Sequence, residues 1–255
     1  MASFNSMNER LANEPILPLL IKLSIPAAVA NIVSALYSVV DRWFIGRIPS
    51  IGTEALGGVG LTFPIIMLIT AFSMLVGMGA APRASIAMGA GEHNKAEKYL
   101  GNAVTMLVAI GLSIILLCII FDDEMLKLFG ASKETLPFAK QYLNIYVLGT
   151  VFMVISLGLN SFINAQGNTK IGMMTVIIGA LINIILDPIF IFLLDLGIAG
   201  AAWATVISQF ISALWVILFL ISKKSSLKIY LKNLVPDKDI IFSSLSLGVS
   251  AFIFY

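Results

Sequence analysis

The run IGMMTVIIGALINIILDPIFIFLL, residues 171–194, holds one charged side chain among aliphatic and aromatic neighbours, and that carboxylate, Asp187, is followed by a proline. An apolar stretch of this length exceeds the ~18 residues that mark a transmembrane helix. The rest of the chain agrees. Hydrophobic residues make up 59% of its 255 residues and charged residues 12%, about half the roughly 25% charge of a soluble domain. Mean hydropathy is +0.99. With so little polar surface to cover a core, the composition excludes a soluble domain and predicts an all-α polytopic membrane protein.

Apolar runs predict six spans, over 15–45, 55–81, 96–121, 136–164, 171–194 and 198–222. A further run starts near Ile240 and reaches Tyr255, short of the ~20 residues that cross ~30 Å of hydrocarbon. It reads as the start of a seventh span in a chain cut short. The expected organisation is a six-helix N-terminal lobe over 1–222, a basic inter-lobe linker over 223–239 and a truncated seventh helix over 240–255. Of the 16 Lys and Arg residues, eleven, from Arg10 and Lys22 to the linker lysines, fall on the side of the N-terminus. The positive-inside rule therefore makes the N-terminus cytoplasmic. The linker itself reads as a cytoplasmic loop drawn to anionic headgroups. The acidic cluster Asp122, Asp123 and Glu124 is expected in the outer connection after span three. The first fourteen residues lack the order of a signal peptide.

Several features read as structural. The single Cys118 sits in an apolar run as a small buried hydrophobe. His93 lies in a polar loop without a second ligand, which argues against a transition-metal site. GGVG (57–60) and GMGAAPRASIAMGAG (77–91) lack the strand and lysine of a phosphate loop, and predict close helix packing through small residues. A net charge of +2 does not point to nucleic acid. No Ser/His/Asp set or metal cluster suggests an enzyme, and no cofactor is expected.

Two carboxylates stand at costly positions, because an ionised side chain in hydrocarbon costs ~2.5–3.5 kcal/mol. At a rise of ~1.5 Å per residue, Asp41 counted from Ile25, Asp187 from Ile171 and Thr205 from Ile221 all come out ~24 Å up the membrane. One level permits contact. Asn183 and Asp187 are four apart and share a helix face, as do Tyr37 and Asp41. Pro188 removes a backbone donor and strains the carbonyl of Ile184, and Pro26 does the same low in span one. Carboxylate, carboxamide and hydroxyl oxygens suit a proton or a small hard cation such as sodium. The plainer alternatives are that Asp187 caps a helix end or pairs with Arg42, that Asp41 merely lies near the outer surface, and that Asn31, Asn160 and Asn164 are interhelical hydrogen-bonding groups.

At these residues the sequence resembles the multidrug and toxic compound extrusion (MATE) family, particularly its bacterial members. The likeness runs through IPAAVANIVSALYSVVDRWFIGR, EALGGVGLTFPI, VGMGAAPRASIAMGAGEHNKAEK, SFINAQGNTKIGMMTVIIGALINIILDPIFIF and GIAGAAWATVISQ, in that order. The resemblance implies twelve helices in two six-helix lobes around a cleft, of which this chain carries the N-terminal lobe. It implies efflux of cationic amphipathic drugs or toxins across a bacterial plasma membrane by proton or sodium antiport. By position, Asp41 and Asp187 match the carboxylates of the cation site, and Asn183 and Thr205 its neutral oxygen ligands. Tyr37 and Asn160 match the surrounding hydrogen bonds, and Pro26 the proline associated with bending of the first helix. The implied partners are the lipid bilayer and either the missing C-terminal lobe or a second copy of the chain.

Burial and mutual repulsion of the two aspartates favour uptake of a proton or sodium, and the pair titrates as a unit. Cation binding is then expected to bend span one near Pro26 and release the drug. Two other readings compete. A lipid-precursor flippase of the same superfamily needs basic residues in its cavity, whereas Lys and Arg gather here at the ends. A non-transporting fragment or membrane scaffold follows if half the machine is absent.

Overall fold

The structure, a computed structural model, describes residues 15–254. Arg10 and the rest of the N-terminal segment counted towards the charge asymmetry lie outside the described residues. Nine α-helices are described: α1 (Ile16–Ile45), α2 (Gly52–Leu61), α3 (Phe63–Gly89), α4 (His93–Leu128), α5 (Leu136–Tyr146), α6 (Thr150–Ala165), α7 (Thr169–Pro188), α8 (Gly197–Ile221) and α9 (Lys238–Ile253). They form six crossings long and apolar enough to span a membrane, with α2–α3 and α5–α6 each making one.

The expected spans are present, with breaks and extensions that have local causes. Span two divides at Thr62, whose hydroxyl bonds back to the carbonyl of Val59 at 2.7 Å, and α3 restarts with Pro64 in its first turn, where a missing N–H costs least. Span three continues past Phe121, which leaves helical geometry at φ −118°, ψ 24°. The acidic cluster expected in a connection therefore occupies the last turns of α4. Lys140 of α5 reaches Asp122 at 3.1 Å and Asp123 at 2.9 Å, which gives the carboxylates a reason to stay on the helix. Span four is α5, a 3-10 turn over Val147–Gly149, and α6. After Pro188, where the missing N–H breaks the α-helical ladder, Ile189–Leu193 winds as a π-helix.

The bundle is organised around α6, which packs on α3, α4, α7 and α8. Phe162, Leu159 and Ile163 of α6 and Leu107 of α4 are fully buried in the core. In span four 67% of the apolar window is buried, against 6% in α1. Span four is thus the hub, and α1 is a peripheral helix held mainly by α7. Small residues do the expected work at two crossings. A side chain at Gly58 would press on the backbone of Ala139 at 2.8 Å. Where α9 crosses α3, a Cβ on Gly79 would overlap the carbonyl of Ser244, and one on Gly248 that of Leu75.

The basic linker is pinned to the lobe. The Gln166 side-chain carbonyl accepts from the Ser225 hydroxyl at 2.9 Å and the Ser226 N–H at 2.8 Å. Farther on, the Asn102 carbonyl oxygen accepts from the Asp237 N–H at 2.7 Å, and the Thr105 hydroxyl donates to Leu234 at 2.7 Å.

Candidate functional site

Asp187 and Asn183 sit one turn apart on α7, and both are fully buried. Their side chains share the face that meets α1 and α8. Asp41, 7% exposed, comes from the last turns of α1, and Thr205, 2% exposed, from α8. The structure brings these four together. The carboxyl groups of Asp41 and Asp187 are close enough to act on each other electrostatically. Two ionised carboxylates offer only acceptors, so that approach is favourable only with a proton or cation between them.

The neutral oxygens are arranged around the pair. The Asn183 amide donates to the Thr205 hydroxyl at 3.3 Å, and that hydroxyl donates to the Ala201 carbonyl at 3.0 Å. Asn183 is thereby oriented with its carbonyl oxygen unpaired. That oxygen, both oxygens of Asp187 and one of Asp41 are buried without a donor. Buried acceptors left unpaired cost ~1–3 kcal/mol each, more when charged. Four such oxygens together fit a proton or a small hard cation of the sodium type. Arg42 forms no ion pair with either aspartate; its guanidinium lies over the Phe63 ring at 5.4 Å. Asp187 caps no helix end, since no N–H reaches it.

The pair borders a cavity of ≈490 Å³ whose walls include Tyr37, Asp41, Tyr146, Asn160, Thr175 and Gln209. Asp41 reaches the cavity surface, while Asp187, Asn183 and Thr205 form the layer behind it. Tyr37 is half-buried one turn before Asp41 and approaches Thr205. Asn160 does not join the carboxylates. It donates to the Gly172 carbonyl at 3.2 Å and accepts from the Thr175 hydroxyl at 3.3 Å, tying α6 to α7 across the cavity floor. Asn31 lines the same cavity. Pro26 is buried, and α1 passes through it as one helix.

Three cavity residues escaped the sequence reading. Tyr142 and Tyr146 are four apart on α5 and buried, with their rings stacked at 5.7 Å. Tyr146 donates to the Met153 sulfur at 3.1 Å, and Gln209 of α8 lies within reach of it. The i, i+4 spacing of the tyrosines was the available signal.

The sequence model of the MatE family matches residues 26–189, from Pro26 through the aspartate pair. The chain belongs to the MatE family. Among curated relatives of this MatE chain, the multidrug export protein MepA of Staphylococcus aureus (strain MRSA252) is 28% identical over 239 residues, covering 94% of this chain and 52% of MepA. MepA of Staphylococcus haemolyticus (strain JCSC1435) is 31% identical over 230 residues, covering 90% and 50%. The chain thus spans about half the length of the curated relatives it matches. Solved structures of MATE in the bent and in the straight conformation superpose with TM-score 0.84 at 26% identity, over 92% of this chain and 52% of theirs. A MOP superfamily transporter from Pyrococcus furiosus, described as having a binding pocket of reverse polarity that suggests a different function, matches equally well at TM-score 0.84.

Proposed function

We propose that this chain is the N-terminal lobe, over 1–222, of a multidrug exporter that expels cationic amphipathic compounds in exchange for a proton or sodium. The linker over 223–239 and the helical segment over 240–255 lead towards a second lobe or pair with another copy. One observation carries the reading: a buried carboxylate pair without donors, one member of which opens onto a cavity with aromatic walls. The MepA relatives are named as multidrug export proteins, which supports drugs as the transported class.

The residues divide the work. Asp187 and Asp41 hold the coupling cation, with the Asn183 carbonyl and the Thr205 hydroxyl as neutral ligands. Tyr37 stands beside Asp41 on the cavity wall, and Asn183 and the Ala201 carbonyl keep Thr205 in place. Because Asp41 also faces the cavity, an amphipathic cation there competes with the coupling ion for the same negative charge. Exchange then follows from differential affinity in two states. The moving part is α1, the least buried helix, which bends at Pro26 when the pair takes up its ion and reduces the cavity. Charge asymmetry supports a cytoplasmic N-terminus in a bacterial plasma membrane.

The test is efflux by a transporter completed with its second lobe. Asp187→Asn keeps the side-chain volume and removes the charge, so ion-coupled efflux falls to background while membrane insertion is retained. Undiminished efflux from that variant contradicts the proposal.

A further inference from the structure

A second cavity, of ≈350 Å³, lies at the end of the bundle where α3 finishes and α4 begins, one membrane crossing from the aspartates. Its walls include Lys98, Asn102, Lys232, Val235, Asp237 and Lys238. The three lysines come from three elements: α4, the 3-10 turn Leu231–Leu234 and the first residue of α9. They are held around one space by Asn102, which is 1% exposed. Its amide donates to the carbonyls of Lys98 at 3.0 Å, Asn233 at 3.4 Å and Val235 at 3.3 Å. Its carbonyl oxygen takes the Asp237 N–H. The backbone carrying each lysine is therefore fixed before any ligand arrives.

The wall of this space carries three lysines and one carboxylate, Asp237. Among the described residues none of the three lysines makes a salt bridge, and Lys232 rests over the Tyr230 ring at 5.5 Å. The carboxylate on the wall, Asp237, is committed to the start of α9, where it accepts from the Asp239 and Ile240 N–H groups at 3.1 and 3.4 Å. Glu97 of α4 interacts across the linker with Lys232 and Lys228, and Asp237 and Asp239 share the adjoining surface with Lys98. Beside the lysines stand two exposed apolar side chains, Leu231 at 85% and Val235 at 69% exposure. Basic and apolar groups exposed together mark the headgroup zone of a bilayer, where lysines meet phosphates and apolar side chains meet the tops of acyl chains.

We propose that this pocket binds the phosphate of an anionic phospholipid, with Lys98, Lys232 and Lys238 around the phosphate oxygens and Leu231 and Val235 against the acyl chains. The pinned linker is the site's frame. An aqueous anion satisfies the lysines but gives Leu231 and Val235 nothing to contact, which is why a lipid is the better occupant. The inference is independent of the antiport reading, since it uses none of the residues of the aspartate site.

Native mass spectrometry of the whole chain, released from detergent with equimolar phosphatidylglycerol and phosphatidylcholine, provides the test. The chain is expected to retain phosphatidylglycerol by about tenfold or more over phosphatidylcholine, given three lysines close to one phosphate. The triple variant Lys98→Gln, Lys232→Gln, Lys238→Gln loses that preference. The triple Arg variant at the same positions keeps it, which separates lost charge from lost fold. A control triple, Lys133→Gln, Lys170→Gln, Lys224→Gln, removes the same charge elsewhere and leaves the preference intact. Equal loss in the control, or no preference in the natural chain, overturns the proposal. Displacement of the lipid by inorganic phosphate at matched concentration reassigns the pocket to an aqueous anion and equally overturns it.

Discussion

Asp187 is fully buried and accepts no hydrogen bond from any N–H or O–H group, a condition that a folded chain tolerates only for a purpose. Its partners divide the two ways of meeting that need. A proton between Asp41 and Asp187 requires only the carboxylates, whereas sodium requires the neutral oxygens as well. Asn183→Leu therefore weakens sodium binding by at least about tenfold and leaves proton uptake by the pair in place. Parallel measurements of sodium and pH dependence of drug binding check this. The carboxylates were legible in the sequence because a charge in an apolar run is costly to insert and stands out against its neighbours. Tyr142, Tyr146 and Gln209 were not, because polar residues on α5 and α8 read as ordinary interfacial or packing positions until their shared cavity is seen. Asn160 was placed among the site's hydrogen bonds by resemblance; it lines the cavity that Asp41 reaches and bonds between α6 and α7.

At the scale of elements, hydropathy located every crossing, since that signal sums over many residues. It did not reveal the break at Thr62, the continuation of α4 through Asp122 and Asp123, or the pinned linker. Each of these depends on one or two polar contacts that leave no periodic trace, such as Lys140 with Asp122 and Gln166 with Ser225. Gln166→Ala leaves the Ser226 and Leu227 N–H groups without their acceptor and costs about 1–3 kcal/mol. Hydrogen exchange over 225–227 is expected to rise sharply, with helices α3 and α6 unchanged. The α3–α9 crossing is less forgiving. Gly79→Val forces a side chain into the Ser244 backbone, and overpacking of this kind costs about 1–3 kcal/mol. Thermal unfolding in detergent is expected to shift down accordingly.

For the whole molecule, the arrangement couples a peripheral helix to a buried charge. The hub α6 carries no acidic residue, whereas α1, held mainly by α7, brings Asp41 to Asp187. A change in what lies between those two side chains therefore acts on the most weakly held crossing of the bundle. On the proposed reading the cavity and the ion site compete, because Asp41 belongs to both. The most direct measurement is ethidium binding to the 255-residue chain in nanodiscs, titrated against pH and against sodium. The account predicts that a coupling ion is displaced, so that affinity weakens by up to about tenfold per unit of falling pH for a one-proton exchange, or in proportion to added sodium. It further predicts that Asp187→Asn binds without either dependence. Ethidium affinity indifferent to both ions in the natural chain contradicts the shared carboxylate pair.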